Sequence, residues 1–247
     1  MNEQEQATYA EFLSRRRQQI LERIERAATK ANRAADEVML VAVSKTVGCD
    51  ELGLAYNAGY RTFGENRPQE LKRKVQYVRE HEQMAGVRFD MIGNLQTNKI
   101  NQVLGNAQLV HSVSSVHLAE AIARRSAARN MVTDCLMEVN VSGEASKSGF
   151  TPDEARAAIE SLRAMEGIAV KGLMTMAPAR NEAAARATFS GLRELRDELR
   201  ASTGLELGEL SCGMSGDFEI AVEEGSTMVR LGRIVFDPTY ADSNEKV

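Results

Sequence analysis

The feature that most constrains the fold is an alternation of two kinds of sequence segment along most of the chain. Short apolar runs rich in β-branched residues alternate with longer stretches of Ala, Glu, Arg and Leu at helical spacing. Strands that alternate with helices in this way predict βαβ units and a parallel sheet. The predicted strands are Val38–Ser44, Thr62–Gly64, Arg88–Ile92, Gln108–Val113, Cys135–Val141, Val170–Met174, Glu209–Cys212 and Met228–Leu231.

Helical patterns fill the gaps between these strands. Thr151, followed by Pro152 and two acidic residues, is a typical helix start. The first helical pattern precedes the first strand, so it predicts an extra N-terminal helix. The predicted helices are Ala7–Arg33, Asp50–Ala58, Pro68–Glu80, a short one after Thr97, Ser115–Arg129, Pro152–Ala164, Glu182–Ala201 and Phe218–Glu224.

Two α/β architectures fit this pattern: a closed (β/α)8 barrel of the TIM type and an open, doubly wound sheet. The open sheet usually carries a glycine fingerprint after its first strand, whereas here that strand ends in Ser44-Lys45-Thr46. The length of 247 residues suits one barrel. We therefore predict a single barrel domain over residues 1–247, with its core at about 38–236.

Composition and charge argue against several classes of protein. A formal net charge of −4 and a pI near 5.6 do not suit a nucleic-acid-binding protein, which would carry a basic face. The N-terminus has no apolar signal core, and no run approaches the length of a membrane span. The cysteines are far apart and the histidines isolated. We expect no nucleic acid, no membrane, no metal site and a cytoplasmic location.

Lys45 is the first residue with a potential chemical role. It follows Leu40–Val43, a run that is apolar on both faces, as a buried parallel strand should be. A lysine at this strand end is expected to project into the barrel mouth, where burial would favour the neutral amine that attacks an aldehyde. The alternative is a strand-end lysine that simply reaches solvent.

The glycine-rich turn Cys212–Asp217 lies between the seventh strand and a helix. Ser215 and the backbone N–H groups after it, beginning with Gly216, would form an anion site at a helix start. Phosphates in barrels often bind at the loops after strands seven and eight. The alternative is an ordinary glycine turn in which Ser215 caps the helix.

Arg230 lies inside the apolar eighth strand, where an unpaired charge would be costly. It therefore needs an anionic or hydrogen-bond-accepting partner, and pairing with a structural carboxylate is the competing explanation. Gly232 would let the backbone approach a phosphate, and Arg233 would add a charge-assisted contact. Asn66, after the second strand, gives a weaker signal that turn chemistry alone could explain.

Taken together, these motifs resemble the pyridoxal 5'-phosphate (PLP) homeostasis protein family. The resemblance extends from about Val38 to Phe236 and depends on the joint order and spacing of the motifs. The motifs are Ala42–Thr46, Phe63–Asn66, Ile92–Lys99, Val139–Glu144 with Lys147–Gly149, Gly172–Met176, Cys212–Ser215 and Val229–Gly232.

The resemblance implies a barrel like the N-terminal domain of alanine racemases, with PLP bound covalently to Lys45 as a Schiff base. Arg230 would face the pyridine nitrogen, Asn66 would lie near the ring, and the remaining contacts would hold the phosphate. The implied contacts besides Lys45 are Asn66, Ser215, Gly216, Arg230, Gly232 and Arg233.

The chain departs from the family pattern at a few positions. Asp90 and Asn94 stand where histidines are common, and Ser114 replaces a frequent Asp. Arg233 occupies a position where small or hydroxyl residues are commoner, so the phosphate contact there would be ionic. Asp237 stands where Gly is usual.

The resemblance also implies a holder of PLP, active in its storage, delivery and balance, with PLP-dependent apoenzymes as partners. A racemase needs a base on each face of its substrate, and in racemases of this type a second domain supplies one. Only Asp237–Val247 remain after the predicted barrel core, a stretch that we expect to be too short for a second domain. Arg230 can only donate a hydrogen bond to the ring nitrogen, which weakens the ring as an electron sink without abolishing it, since the racemases that the barrel resembles also use Arg. We therefore expect no efficient catalysis, and the resemblance also implies a monomer.

Two alternatives remain open from the sequence. One is a PLP-dependent amino-acid racemase, or another PLP enzyme, whose second base comes from a partner chain. The other is a PLP-free aldolase that forms its Schiff base on the same barrel. The absorbance of bound PLP separates the aldolase from both PLP-dependent functions, and turnover of amino acids separates an enzyme from a holder.

Overall fold

Eight parallel strands close into a barrel in the computed structural model, which describes residues 1–240. The strands are β1 Met39–Val43, β2 Thr62–Glu65, β3 Arg88–Met91, β4 Leu109–Val113, β5 Thr133–Glu138, β6 Ile168–Met174, β7 Glu209–Ser211 and β8 Met228–Leu231. Each strand pairs with the next along the chain, and β8 closes the barrel on β1. The predicted (β/α)8 fold is confirmed; residues 241–247 of the predicted domain lie outside the described residues.

Helices cover the outside of this barrel. They are α1 Glu3–Lys30, α2 Cys49–Asn57, α3 Pro68–Arg79, α4 Ile100–Val103, α5 Val116–Ala127, α6 Pro152–Arg163, α7 Glu182–Thr203, α8 Phe218–Glu223 and α9 Arg233–Phe236. The short helix predicted after Thr97 is a 3-10 turn, Thr97–Lys99, that continues into α4. In the part of the chain described, no helix is long and apolar enough to cross a membrane.

The extra N-terminal helix begins and ends earlier than predicted. Asn2 caps α1: its side chain accepts from the Glu5 N–H, and the Glu5 carboxylate accepts from the Asn2 N–H. This reciprocal pair satisfies two backbone donors and starts the helix before Ala7. At the other end, Asn32 adopts a left-handed φ of 54°, which stops the helix short of Arg33.

The helix α1 is fastened to α9, which directly follows the last strand. The Tyr9 hydroxyl donates to the Phe236 carbonyl over 2.8 Å, and the Arg16 guanidinium donates to the Ile234 carbonyl over 3.0 Å. These two carbonyls lie at the end of a one-turn helix that has few hydrogen bonds of its own. The extra helix therefore supports the segment that follows β8.

Most predicted boundaries agree with the structure to within a few residues, and β8 agrees at both ends. Among the strands, β5 differs most, because it ends at Glu138 rather than Val141. The side chain of Asn140 donates to the Glu144 carbonyl and accepts from the Gly143 N–H, so it folds the chain into a loop. Only an isolated bridge between Val139 and Phe150 continues the pairing.

Two apolar shells stabilise the barrel, because successive side chains of a strand point to opposite faces. The larger shell fills the space between the strands and the helices. The smaller one lies inside the barrel and consists of Val41, Leu109, Leu136, Met174 and Met228. The carboxyl-terminal half of the barrel interior is polar, and the candidate site lies there.

Candidate functional site

The predicted site residues all lie at the carboxyl-terminal edge of the barrel. Parallel strands present their ends at one edge, and β1 pairs with both β2 and β8, so the three strand ends are neighbours. Lys45 follows β1 and Asn66 follows β2. Ser215 and Gly216 lie in the turn after β7. Arg230 lies near the end of β8, and Gly232 and Arg233 follow that strand.

Lys45 lies in the turn that follows β1 and is exposed. The burial expected from the sequence is therefore wrong, because β1 ends at Val43 and the chain has already left the strand. Its amine has no hydrogen-bonding or ion-pair partner within residues 1–240. A small molecule at the barrel mouth can therefore reach the amine.

A buried cluster of Ser44, Glu65 and Lys74 lies directly behind Lys45. The Lys74 ammonium of α3 donates to the Ser44 carbonyl over 2.6 Å and contacts Glu65 Oε1 at 2.5 Å. The Ser44 hydroxyl donates to the same Oε1 over 2.6 Å. The cluster holds together the ends of β1 and β2, one residue before Lys45 and one before Asn66.

Sequence reasoning missed this cluster, although a signal was present. Lys74 lies between Leu71 and Val75 on the buried face of α3, where a lysine is unexpected. Its Glu65 partner comes directly before Asn66 and was included only in a weak turn motif. The cluster positions the edge of the site rather than contacting its interior, because Ser44 and Glu65 face α3.

Arg230 points into the barrel, where only 5% of it is exposed. Its guanidinium donates to the Ser211 hydroxyl over 2.6 Å and to the Thr175 carbonyl over 3.1 Å. Within residues 1–240 no carboxylate lies within 4.0 Å of it, so its partners are neutral acceptors. The predicted need for a partner is met, and the competing structural carboxylate is absent from the described residues.

A hydrogen-bonded chain continues from Ser211 through the barrel interior. His111 Nδ1 lies 2.9 Å from the Ser211 hydroxyl, and His111 Nε2 lies 3.2 Å from Asp90 Oδ2. The Arg88 guanidinium donates to Asp90 Oδ1 over 2.9 Å. Burial lowers the pKa of His111, and Asp90 opposes this effect only in part. We call Arg230, Ser211, His111 and Asp90 the barrel-core chain.

Glu138, at the end of β5, is a second buried acid that sequence reasoning missed. Only 3% of it is exposed, and its Oε1 accepts a hydrogen bond of 2.9 Å from the Ser148 hydroxyl. Burial raises the pKa of Glu138, while the Ser148 hydrogen bond and the charge of Arg230 oppose the rise. The site therefore contains a buried carboxyl group whose pKa is raised by its surroundings.

The turn after β7 does not follow the alternative in which Ser215 caps the helix. Asp217, not Ser215, is the N-cap residue of α8, and its carboxylate accepts from the Met214 N–H over 2.6 Å. The Ser215 hydroxyl instead accepts from the Ile234 N–H over 3.4 Å, at the start of α9. The turn after β7 and the segment after β8 are thus in direct contact. This places Ser215 beside the one-turn helix that follows Gly232.

Arg233 is exposed at the first position of α9. Its guanidinium lies 5.5 Å from the centre of the Tyr240 ring. Tyr240 in turn donates to the Ser215 carbonyl over 3.2 Å. Arg233 is therefore held near the turn after β7, where the sequence predicts a phosphate. Among the described residues there is no cluster of three His, Cys, Asp or Glu side chains that could hold a metal ion.

Comparison with known proteins gives concordant results. The family model "Alanine racemase, N-terminal domain" matches residues 16–238. A pyridoxal phosphate homeostasis protein of Aquifex aeolicus is 39% identical over 218 residues, which make up 88% of this chain and 94% of the relative.

Two solved structures are similar to the barrel over most of its length. An unknown protein of Bifidobacterium adolescentis has a TM-score of 0.87 and 39% identity, with 93% of this chain and 96% of that chain covered. PipY of Synechococcus elongatus, solved with PLP bound, has a TM-score of 0.75 and 32% identity, with coverages of 87% and 99%. The chain therefore belongs to the pyridoxal phosphate homeostasis protein family, whose barrel is that of the N-terminal domain of alanine racemases.

Proposed function

We propose that the chain binds PLP at the carboxyl-terminal edge of its barrel and contributes to intracellular PLP homeostasis. The proposal depends mainly on Arg230, a buried cation whose hydrogen-bond partners are neutral acceptors only. It lies at the same edge of the barrel as the accessible amine of Lys45. When bound, PLP supplies an aldehyde, an electron-withdrawing pyridine ring and a phosphate. The PLP-bound structure of PipY and the name of the Aquifex relative support the proposal.

The residues at this edge fit each part of the ligand. The Lys45 amine would form a Schiff base with the aldehyde, because it is accessible and has no partner in the described part of the chain. Arg230 would donate to the pyridine nitrogen with an N–H that has no acceptor within residues 1–240. Asn66, beside Lys45 at the end of β2, would lie near the ring.

The phosphate is proposed to bind between the turn after β7 and the segment after β8. Ser215 and the start of α9 are already in contact there. A Cβ built on Gly216 would meet no atom within 4 Å, so this backbone faces open space. Gly232 and Arg233 would complete the site with backbone and guanidinium donors, in the position where barrels often bind phosphate.

A holder of PLP, rather than an enzyme, suits the chemistry of Arg230. A guanidinium has no acceptor atom, so it leaves the ring nitrogen without a proton and limits the electron demand of the ring. A PLP-dependent racemase or other PLP enzyme is the second candidate. Glu138 favours this candidate, because a buried carboxyl near Arg230 whose pKa is raised is a group able to exchange protons.

Borohydride trapping tests the ligand and the lysine together. The wild-type chain, loaded with PLP and reduced, should carry one adduct on Lys45, and Lys45→Ala should abolish it. Lys72→Ala is the matched control, because Lys72 is an exposed lysine on α3. A full-stoichiometry adduct on another lysine in the Lys45→Ala variant contradicts the proposal.

Turnover distinguishes a holder from an enzyme. PLP-loaded protein would be incubated in deuterated water with each enantiomer of common amino acids, and deuterium at Cα would be followed. We expect transfer of PLP to an apoenzyme without sustained exchange. Racemisation at ordinary enzyme rates, on the order of 1–1000 per second, would instead establish the second candidate.

Further properties expected from the sequence remain proposals. We propose that the protein is a cytoplasmic monomer and that PLP-dependent apoenzymes receive its PLP. Residues 1–247 would act as one PLP-binding domain. Size-exclusion chromatography with light scattering tests the monomer, and a chain that elutes as a dimer would correct it.

A further inference from the structure

The hydrogen bonds along the barrel-core chain run in one direction. That direction follows from which of its side chains can donate a hydrogen bond and which can accept one. Arg230 can only donate, so the Ser211 oxygen accepts its 2.6 Å hydrogen bond. The Ser211 proton then has to go to another acceptor. The only other polar atom within hydrogen-bonding distance of the Ser211 hydroxyl, within residues 1–240, is His111 Nδ1 at 2.9 Å.

This direction assigns the tautomer of His111. Nδ1 accepts from Ser211, so it carries no proton, and Nε2 carries the proton that it donates to Asp90 over 3.2 Å. A doubly protonated His111 would place a second cation beside Arg230 and would leave the Ser211 proton without an acceptor. Complete burial disfavours that cation as well.

The barrel interior does not need the barrel-core chain for packing alone. The apolar cluster inside the barrel already packs the interior without any nitrogen or oxygen atom in its side chains; it consists of Val41, Leu109, Leu136, Met174 and Met228. Buried hydrogen-bonded networks commonly give no more stability than apolar side chains of similar volume. What His111 and Ser211 provide beyond packing is an acceptor at a defined place for one N–H of Arg230.

We propose that Ser211, His111 and Asp90 are positioning residues that hold the Arg230 guanidinium in the plane and orientation in which it donates to the PLP ring nitrogen. This inference rests on the proposed function, since it assigns a role within the same PLP site. Ser211 makes the contact with Arg230. His111 and Asp90 act through Ser211, because they keep its proton away from the guanidinium.

Replacing Ser211 tests the proposal, and the chain offers a matched control. Ser226 is also a completely buried serine, but its hydroxyl donates to the backbone carbonyls of residues 210, 212 and 228 rather than contacting Arg230. Ser211→Ala and Ser226→Ala each remove one buried hydroxyl from the β7–β8 region. They differ in whether Arg230 loses a partner.

The probes are PLP and its carbocyclic analogue, in which C–H replaces the ring nitrogen. We expect Ser211→Ala to weaken PLP binding by about tenfold or more relative to Ser226→Ala, because a hydrogen bond to a charged group is misplaced. Both variants should bind the carbocyclic analogue equally, because that ligand has no ring nitrogen to contact. Ser211→Thr, which keeps the hydroxyl, should recover PLP binding.

The ring nitrogen also provides a readout that does not depend on affinity. With ¹⁵N-labelled PLP, the nitrogen chemical shift of the loaded protein should move in Ser211→Ala and Asp90→Asn, and should not move in Ser226→Ala. Asp90→Asn preserves shape, so it also serves if Ser211→Ala fails to fold. In Asp90→Asn the side-chain NH2 group faces either Arg88 or His111, so that two hydrogen-bond donors face each other at that place.

The outcomes separate this inference from the proposed function. If wild-type protein does not retain PLP, the proposed function fails. If wild-type protein retains PLP but Ser211→Ala weakens PLP and the carbocyclic analogue equally, the positioning role is overturned. An unchanged ¹⁵N shift in both Ser211→Ala and Asp90→Asn overturns it too.

Discussion

Lys74 of α3 and Glu65 of β2 form an ion pair of 2.5 Å whose two side chains are completely buried. Burying two charges is costly, and their attraction repays this cost only when further hydrogen bonds complete the arrangement. Here the Ser44 carbonyl and hydroxyl provide two such hydrogen bonds, while Glu65 Oε2 has no hydrogen-bond partner within residues 1–240. The pair therefore joins a helix to two strand ends at the edge of the proposed PLP site.

Removing one partner of this pair should destabilise the fold strongly. We expect Lys74→Met to lower the free energy of unfolding by about 3–5 kcal/mol, because Glu65 is left as an uncompensated buried charge. The double variant Lys74→Met/Glu65→Met should lose less, because no charge remains. Urea unfolding measures both, and Lys72→Met on the same helix is the exposed control. A double variant less stable than the single one contradicts this explanation.

A glycine at the turn after β7 has a backbone conformation that other residues avoid. Gly213 has a φ of +95°, and a Cβ built there would lie 2.6 Å from the Ala221 Cβ. We expect Gly213→Ala to cost at least about 1–2 kcal/mol of stability from the left-handed backbone alone, with the clash adding to it. Gly208→Ala, where a Cβ meets nothing within 4 Å, should change stability by less than about 0.5 kcal/mol. Thermal unfolding compares them, and equal effects would show that the conformation of Gly213 is not constrained.

The depressed pKa of His111 predicts a pH dependence of stability. The unfolded chain protonates this imidazole near pH 6.5, whereas the folded chain resists protonation because the ring is buried. The unfolded state thus binds more protons below pH 6.5, and the stabilisation present above that pH is lost as the pH falls. The slope from one such proton is at most about 1.4 kcal/mol per pH unit.

His111→Gln should therefore flatten the dependence of unfolding free energy on pH between 7 and 5, even though it lowers stability overall. The charged groups that face His111 are Asp90, Arg230 and Arg88, and all three remain in the variant. His117→Gln removes an exposed histidine and should leave the slope unchanged. Parallel curves for wild type and His111→Gln would mean that His111 does not titrate across this range.

Arg233 should contribute to retention of the phosphorylated ligand only. We predict that Arg233→Ala weakens PLP binding by roughly ten- to a hundredfold more than pyridoxal binding, because the charge-assisted bond needs a phosphate. Arg233→Lys keeps the charge and should fall between the two. Arg129→Ala, in the chain after α5 on the opposite edge, is the control. Equal losses for PLP and pyridoxal would show that Arg233 does not contact the phosphate.

The sequence by itself determined the barrel and the position of its site edge. Short apolar runs and stretches of helical spacing predict strands and helices locally, and eight alternations of them leave few architectures. The same pattern placed Lys45 after β1 and Arg230 inside β8, and the joint motifs indicated the family. These features depend on residues close together in the chain.

Only the tertiary structure decided which side chains meet inside the barrel. His111 is isolated in the sequence because its partners Asp90 and Ser211 are 21 and 100 residues away. The sequence left open whether a carboxylate or a neutral acceptor served Arg230, and the structure gave Ser211 and Thr175. Alternation along a strand tells which face a side chain points to. The register of eight strands and the closure of β8 on β1 determine its neighbours, and these are set by the packing of the whole chain.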